Sequence, residues 1–402
     1  MKTFKFKKCF TIHLIFLFVH LTSKNVFGRL DARSAVNIIT KYGYAVEEHV
    51  NIETKDGYLL DMQRIPYGKN NVNRTAGPAV LLMHGILGSA ENWIVTGPEK
   101  GLAFILADEG YDVWLGNARG TTHSRKHKKL NPDFDPSYWQ FSWHEIGLYD
   151  LPAKIDYILE ETGQSEIFYI AHSQGTTSFF VMASELPKYN QKIRLMVALA
   201  PVAYMSNLGN PFFQLLAQLE LGLNWFLDII GITEFMPNNQ LMSLAGDTLC
   251  NERALVQEVC TNALFLITGY DSAEINRTAL PEILSASPAG SSTKQFLHFG
   301  QSINSGSFRY YNYGMLLNLG RYGSTSPPSY RLIRISAPVA LFYAKNDMIV
   351  SPQDVGKLRR KLPNVVYDHL IPYGRFNHLD FLWASDVVQL IYLQILDLLK
   401  KY

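Results

Sequence analysis

The chain has 402 residues, of which 47% are hydrophobic and 18% are charged, a balance typical of a globular protein with a large buried core. Its formal net charge is +2, and its basic clusters are short, as at residues 125–129. These features argue against a nucleic-acid-binding protein, because such proteins concentrate positive charge on one face. The sequence contains no pattern typical of a cofactor or metal site, so we expect neither.

The N-terminus has the pattern of a secretory signal peptide. Four lysines among the first eight residues precede an apolar run over residues 9–21, which is too short to span a bilayer comfortably. Small residues follow, and we predict residues 1–28 as the signal, with cleavage near Ser23 as an alternative. An uncleaved signal anchor is the second interpretation. We expect entry into the secretory pathway, while lysosome and extracellular space stay open.

Two further features agree with that compartment. Asn73 and Asn276 each begin an Asn-Arg-Thr acceptor for N-glycosylation. Cys9 would leave with the signal, and Cys250 and Cys260 would remain as an even pair. An oxidising lumen favours a disulfide between them, which would close a small loop.

Between the signal and residue 203, strand-like and helix-like runs alternate. A hairpin is predicted from residues 49–54 and 58–65, with Lys-Asp-Gly at its turn. The next strands are continuous apolar runs, as expected for strands buried on both faces: residues 78–83, 111–115, 167–170 and 193–199. Helices are predicted at residues 102–109 and 149–161. This alternation predicts that residues 29–203 form the first part of a doubly wound, mostly parallel sheet.

His84, Gly85 and Ile86 directly follow the strand at residues 78–83. Glycine at this position lets the loop pass over a neighbouring nucleophile, and the next amide, that of Ile86, can donate to a developing oxyanion. His84 could itself serve as a base. We assign it instead to holding the loop through side-chain hydrogen bonds.

The strand at residues 167–170 stops at Ala-His-Ser-Gln-Gly, residues 171–175, and a helix-compatible apolar run follows at once. A strand, a sharp turn and a helix in this order form a nucleophile elbow, which holds its serine clear of the sheet. The small residues that the elbow requires stand two positions before and after the serine. We predict Ser173 as the nucleophile and the amide of Gln174 as a second oxyanion donor. An ordinary polar turn is the alternative.

The alternation breaks between residues 204 and 334. Residues 211–236 are rich in Phe, Leu and Ile, but the charges and glycines among them argue against a membrane span. They could be buried helices of an ordinary subdomain. We favour a cap over the catalytic edge, whose inner face offers apolar surface to an apolar substrate. Strand-like sequence resumes at residues 337–343, so residues 335–402 are predicted to complete the core, with a final helix at 385–400.

A serine nucleophile needs a histidine to accept its proton and a carboxylate to orient that histidine. In this architecture the three follow in the chain order serine, acid, histidine. Asp347 follows the strand at residues 337–343, and His378 lies in the loop after the next strand, near residues 365–367. We therefore predict Asp347 as the acid and His378 as the base. Structural roles are assigned to the other candidates of this region: Asp354, Asp380, Asp386 and His369.

Longer motifs resemble one known family. They include His-Gly-Ile-Leu at residues 84–87, Gly-Tyr-Asp-Val-Trp-Leu-Gly-Asn-Ala-Arg-Gly at 110–120, His-Ser-Gln-Gly-Thr-Thr at 172–177 and Asn-His-Leu-Asp-Phe at 377–381. Over essentially all of the mature chain, the sequence resembles the acid lipases, a family that includes lysosomal acid lipase and the gastric and lingual lipases. One departure is Ala171, which stands where the family usually has glycine.

The resemblance implies an α/β-hydrolase fold with an inserted helical cap and lid, in a secreted or lysosomal enzyme that cleaves neutral lipid esters. It implies Ser173, Asp347 and His378 as nucleophile, acid and base, in agreement with the argument from the residues. It also implies a disulfide of the cap between Cys250 and Cys260.

We therefore expect a serine-dependent lipase that acts on triacylglycerols, steryl esters or both, through an acyl-enzyme intermediate. Its expected partner is a lipid ester at a droplet or micelle surface, and we expect a monomer. One alternative is a non-catalytic lipid-binding protein, whose mark would be the loss of the serine or histidine, yet Ser173 and His378 are both present. The other is an esterase of small soluble esters, which would gain no activity when its substrate forms droplets.

Overall fold

The protein is described by a computed structural model at residues 34–71, 75–210, 213–214, 217–218, 233–235, 268–271, 273–274 and 279–402. The predicted signal peptide, the acceptors Asn73 and Asn276, and the cysteines Cys250 and Cys260 lie outside these residues. Part of the predicted cap, residues 204–334, lies outside them as well. These features therefore stay predictions.

Eleven β-strands are described, and most are short. In chain order they are β1 (Glu47–Glu53), β2 (Tyr58–Ile65), β3 (Ala79–Met83), β4 (Asp112–Gly116), β5 (Lys126–His127), β6 (Ile167–His172), β7 (Ile193–Leu199), β8 (Glu234–Phe235), β9 (Ser291–Ser292), β10 (Val339–Tyr343) and β11 (Val365–Leu370). Nine of them form one sheet in the order β1-β2-β4-β3-β6-β7-β10-β11, with β5 paired to β2. Strands β8 and β9 form a separate antiparallel pair.

The helices connect these strands or follow them. In chain order they are α1 (Ala35–Lys41), α2 (Leu102–Asp108), α3 (Trp143–Glu145), α4 (Leu151–Thr162), α5 (Gln174–Glu185), α6 (Leu280–Ala286), α7 (Thr293–Ser305), α8 (Met315–Tyr322), α9 (Pro352–Arg359), α10 (Asp380–Trp383) and α11 (Leu393–Leu399). Helical turns of other types are Ala90–Trp93, Pro136–Trp139, Ile146–Asp150, Pro187–Lys192, Leu332–Arg334 and Val388–Tyr392. Within the described ranges, no helix has both the length and the apolar character needed to cross a bilayer.

The sheet is parallel from β4 to β11, so the carboxyl ends of six strands lie at one edge. Strands β3, β4 and β6 are buried along their whole length, which explains their uninterrupted apolar sequence. The hairpin of β1 and β2 is antiparallel and extends the sheet beyond β4, with β1 at the edge. The predicted doubly wound, mostly parallel sheet of an α/β fold is confirmed.

Two helix boundaries differ from prediction. The helix expected at residues 149–161 spans Leu151–Thr162 and follows a π-helical turn at Ile146–Asp150. The helix expected at 385–400 likewise begins with a π-helical turn and continues as α11. In the first case Gly147 packs so closely on α5 that a Cβ there would lie 2.6 Å from the carbonyl oxygen of Ser178. Tertiary packing of this kind leaves no periodic signal in the sequence.

The loop after β4 is fixed at the catalytic edge by a buried ion pair. Arg119 Nε donates to Asp150 Oδ1 over 2.7 Å, and the Arg119 backbone amide donates to Asp150 Oδ2 over 2.9 Å. The guanidinium also reaches Asp56 in the β1–β2 turn, at 2.9 Å, and lies 3.9 Å above the ring of Tyr58. Buried charges require partners of this kind. The pair therefore ties three separate segments together beside the sheet edge.

Candidate active site

Ser173 occupies the sharp turn between β6 and α5. Its backbone has φ 52° and ψ −121°, a conformation that non-glycine residues rarely adopt. The strand ends at His172 and the helix begins at Gln174, so the serine alone makes the turn. Its backbone amide donates to the carbonyl oxygen of Leu199 over 3.0 Å, which fixes the turn against β7.

The two small residues of the elbow, Ala171 and Gly175, lie against each other, and Gly175 also lies against the backbone at the end of β3. A Cβ added to Gly175 would lie 2.6 Å from the carbonyl oxygen of Met83 and 2.9 Å from that of His84. It would also lie 3.1 Å from the Cβ of Ala171, which is present and buried. Glycine is therefore required after the serine, whereas the methyl group of Ala171 fits before it. The departure from the family pattern at Ala171 leaves the elbow intact.

Three side chains from three sheet-edge loops form one hydrogen-bonded line. Nε2 of His378 lies 2.9 Å from Oγ of Ser173, and Nδ1 lies 2.7 Å from Oδ2 of Asp347. A carboxylate only accepts, so Nδ1 donates, and the neutral imidazole presents its Nε2 lone pair to the serine hydroxyl. The structure thus brings together the three residues that the sequence analysis selected, and all three are buried.

The carboxylate of Asp347 is itself oriented by the loop that follows β10. Its Oδ1 atom accepts from the backbone amides of Ile349 and Val350, over 2.8 and 2.9 Å. These two bonds leave Oδ2 facing His378. The acid is therefore held at a fixed angle by backbone donors of its own turn, which keeps the imidazole in one tautomer.

The rival residues lie elsewhere and have structural contacts. Asp354 is in the first turn of α9, where it accepts from the Ser351 hydroxyl and from the backbone amide of Asn207 over 3.0 and 2.8 Å. Asp380 accepts from the amide of Asn377 over 2.6 Å and anchors the histidine loop. His369 lies within β11. The structural roles predicted for these three residues are confirmed.

His84 holds the loop after β3. The backbone amide of Ala118 donates to its Nε2 over 3.1 Å, so its Nδ1 carries the proton and donates to the carbonyl oxygen of Gly85 over 2.7 Å. Burial lowers the pKa of His84 to about 4, and the ring is therefore neutral across the usual range of pH. The predicted structural role of His84 is confirmed.

The same loop passes directly over the nucleophile. A Cβ on Gly85 would lie 3.0 Å from the Cβ of Ser173 and 3.5 Å from its Oγ. The turn continues with the amide of Gly88 donating to the carbonyl oxygen of Gly85 over 3.1 Å, and Leu87 has φ 61°. Among the described residues, no protein acceptor pairs with the backbone amide of Ile86 or of Gln174. Both amides are therefore free for another partner.

Two contacts that sequence reasoning missed position His378. The ring of His172 donates from Nε2 to the His378 carbonyl oxygen over 2.8 Å, and burial together with the neighbouring His378 ring holds the pKa of His172 well below its usual value. The Thr268 carbonyl oxygen accepts from the amides of both His378 and Met348, each at 3.3 Å. The only sequence signal was the position of His172 next to the nucleophile. Thr268 gave none, because it is far away in the chain.

The carboxyl group of Asp380, in the same loop, has a raised pKa. Burial raises the pKa of Asp380 to about 8, the hydrogen bond from Asn377 opposes this rise, and the negative charges of Asp271, Glu274 and Asp347 add to it. The protonated side chain is thus the form that the fold favours over a wide range.

Replacing Gly175 with alanine should force the elbow apart, because the new methyl group would meet two backbone oxygens at less than 3 Å. We expect the free energy of unfolding to fall by about 1–3 kcal/mol or more, measured by urea denaturation. The matched control is Ala171→Gly, which removes a methyl group and should cost about 0.5–1 kcal/mol. Equal stability of the Gly175→Ala variant and the wild type would contradict the packing described.

Replacing Asp380 with asparagine should flatten the dependence of stability on pH. Since the folded-state pKa lies above the ordinary value of 3.8, the contribution of Asp380 is complete below about pH 4 and is lost as pH rises toward about 8. Between these limits the wild type should lose up to about 1.4 kcal/mol per pH unit relative to Asp380→Asn. Urea denaturation across that range measures both proteins. Parallel pH profiles would refute the assignment.

Comparisons with known proteins agree with this geometry. Residues 78–382 match the family described as alpha/beta hydrolase fold, and residues 35–97 match a partial alpha/beta-hydrolase lipase region. The chain is 43% identical to Lipase 3 of Drosophila melanogaster, covering 90% of this chain and 91% of that one. It is 41% identical to human gastric triacylglycerol lipase, covering 94% of this chain and 96% of the human one.

Among solved structures, a soluble variant of monoglyceride lipase from Saccharomyces cerevisiae aligns with a TM-score of 0.56 at 16% identity, covering 90% of this chain and 97% of the other. At that level of identity, the likeness shows the fold alone. The identities above 40% with Lipase 3 and gastric lipase extend over nearly the whole chain and show the family. The chain therefore belongs to the acid lipase family of the α/β-hydrolase superfamily, and it is a carboxylic-ester hydrolase.

Proposed function

We propose that this protein is a serine lipase that hydrolyses neutral lipid esters through an acyl-enzyme intermediate, with Ser173, His378 and Asp347 as its catalytic residues. The observation that carries the proposal is the hydrogen-bonded line from Asp347 through His378 to the Ser173 hydroxyl, with distances of 2.7 and 2.9 Å. A serine hydroxyl is a weak nucleophile unless a base takes its proton as it attacks. His378 lies between the serine hydroxyl and a carboxylate, the position that such a base requires.

In the first half-reaction, Ser173 Oγ forms a bond to the ester carbonyl carbon while its proton passes to Nε2 of His378. Asp347 stabilises the imidazolium that results. When the tetrahedral intermediate collapses, the carbon–oxygen bond to the alcohol breaks, and the imidazolium gives its proton to the departing alcohol. The acyl group stays on Ser173.

In the second half-reaction, water replaces the alcohol. Its oxygen attacks the acyl carbon while His378 takes one of its protons. Collapse then breaks the bond to Ser173, which recovers its proton from His378, and the carboxylic acid leaves. The same three residues serve both steps, so the enzyme returns to its starting state.

The backbone amides of Ile86 and Gln174 are the proposed oxyanion hole. The close approach of Gly85 to Ser173 supports this placement, and neither amide is used by another described residue. The Gln174 amide also belongs to the first turn of α5, where the helix dipole favours negative charge. One such donor typically contributes about 10²–10³ in rate.

The proposed substrates are triacylglycerols or steryl esters at a droplet or micelle surface. The names of the gastric triacylglycerol lipase relatives support the first of these. The side chain of Gln174 donates to Gln295 on α7 over 2.6 Å, and the next residue, Phe296, packs on Phe235 with ring centroids 4.5 Å apart. Part of the region after residue 204 therefore contacts Gln174, the residue that follows the nucleophile.

We also propose that the enzyme passes through the secretory pathway and acts as a monomer. Support for the secretory route comes from the basic and apolar residues at 1–28 and from the acceptors Asn73 and Asn276. A disulfide between Cys250 and Cys260 belongs to the same proposal. Peptide mapping of the secreted protein, before and after reduction, would detect the glycans and the bridge.

Ser173→Ala and His378→Ala should each lower kcat by about 10⁶, because either change removes the nucleophile or its base. The measurement is fatty-acid release from emulsified trioleoylglycerol, with cholesteryl oleate and a dissolved short-chain ester in parallel. The wild type should be faster on the emulsions than on the dissolved ester. Substantial activity in either folded variant would overturn the mechanism, and no gain on emulsions would favour a soluble esterase.

Asp347→Asn should lower kcat by about 10⁴, because the neutral amide no longer holds His378 in the required tautomer. Asp354→Asn is the matched control, since Asp354 also follows β10 but lies in the first turn of α9 and accepts from the backbone amide of Asn207. The control should retain most activity on the same esters. If the two variants lost equal activity, the choice of acid would be wrong.

A further inference from the structure

Helix α8 exposes nearly all of its apolar side chains. The exposed fractions are 72% for Met315, 86% for Leu316, 60% for Leu317 and 53% for Leu319. Single exposed leucines are common on protein surfaces, but four large apolar residues within five positions form a contiguous patch. Asn318, a polar residue, is the one buried side chain of this helix.

Hydrogen bonds from the buried side of α8 fix the helix with this patch facing solvent. The side-chain nitrogen Nδ2 of Asn318 donates to Oδ1 of Asn312 over 2.7 Å and to the carbonyl oxygen of Thr325 over 3.0 Å. Its side-chain oxygen Oδ1 accepts from the backbone amide of Tyr313 over 2.9 Å. The segments before and after α8 are also joined by backbone hydrogen bonds. One of them runs from the amide of Tyr310 to the carbonyl oxygen of Pro328 over 3.0 Å. The leucines are therefore not needed to hold the helix in place.

The surrounding sequence is positively charged. No Asp or Glu occurs between Glu282 and Asp347. The same stretch carries six basic residues: Lys294, Arg309, Arg321, Arg331, Arg334 and Lys345. Two of them meet beside the patch, where the Arg321 guanidinium and the Lys294 ammonium lie 4.2 and 5.0 Å from the ring centre of Tyr313. In the part of the chain that the structure describes, neither has a carboxylate within ion-pair distance.

We infer that α8, with Lys294 and Arg321, is a docking surface for an anionic lipid–water interface. Apolar residues beside basic ones on a short helix favour insertion at such a boundary, with the leucines among the acyl chains and the cations at the charged headgroups. The inference rests on the proposed function, because ester hydrolysis leaves carboxylates at the lipid surface. It gives the enzyme a contact with the interface that is separate from the Ser173 site.

A second copy of this chain fits the patch less well. In a two-fold contact each subunit would present the same surface, so the Lys294 and Arg321 pairs of two copies would approach each other. Like charges brought together in this way disfavour association, whereas anionic headgroups neutralise them. The charge next to the leucines thus selects a lipid surface as the occupant.

The test uses the full chain with Ser173→Ala, so that lipid is not consumed, and vesicles of phosphatidylcholine with or without phosphatidylglycerol. Sedimentation with the vesicles measures binding. Leu316→Ser with Leu317→Ser should weaken binding to both vesicle types by at least about tenfold. Arg321→Gln should reduce only the preference for the anionic vesicles. In the Ser173→Ala protein without further changes, that preference should fall with added salt.

The matched control is Val50→Ser, which removes an exposed apolar residue from β1, at the far edge of the sheet from β11. Unchanged vesicle binding by the double leucine variant would overturn the inference. Size-exclusion chromatography would also overturn it if the Ser173→Ala protein ran as a dimer and the double leucine variant ran as a monomer.

With Ser173 restored, the leucine variant should hydrolyse a dissolved short-chain ester at the wild-type rate and an emulsion more slowly. Loss of activity on the dissolved ester would count against the inference. A wild type that hydrolyses no ester would instead refute the proposed function. Failure of either proposal can therefore be recognised separately.

Discussion

The backbone of Ser173 is the constraint on which the site depends. A non-glycine residue with φ 52° and ψ −121° carries strain on the order of 1–3 kcal/mol, which the surrounding structure must offset. It does so with short bonds to the turn: the Ser173 carbonyl oxygen accepts from the backbone amide and the hydroxyl of Thr176, over 2.8 and 2.6 Å. The Thr176 hydroxyl in turn accepts from the amide of Val202 over 2.9 Å. The strained turn is thus tied to the end of β7.

Parallel topology explains why the other parts of the site meet at this turn. The loops after β3, β6, β10 and β11 all leave the same edge of the sheet, so each supplies one element without long connections. Cross-loop hydrogen bonds then set their separations. His84 joins the loops after β3 and β4. His172, the last residue of β6, binds the loop after β11, and Thr268 joins the loops after β10 and β11.

Much of this arrangement could be predicted from residue order. Continuous apolar runs indicated the buried strands, and a serine between a strand and a helix indicated the elbow. Asp347 could be separated from Asp354 because Ser351 and Pro352 predict the start of a helix, and Asp354 lies in its first turn. These inferences succeed because each depends on neighbours within a few positions of the chain.

Features that depend on contacts between distant segments could not be predicted. The sequence does not show that Ala171 is accommodated, since the answer depends on the carbonyl oxygens of Met83 and His84 near Gly175. Nor does it show that Thr268 bridges two loops, or that α8 turns its leucines outward around a buried Asn318.

The central claim is that Ser173 is the residue that becomes acylated and that His378 activates it. Reaction of the folded protein with a fluorophosphonate, followed by peptide mass spectrometry, tests this claim most directly. The account predicts a single adduct on Ser173, formed rapidly in the wild type and lost in His378→Ala. An adduct on another residue, or no labelling of well-folded wild-type protein, would contradict it.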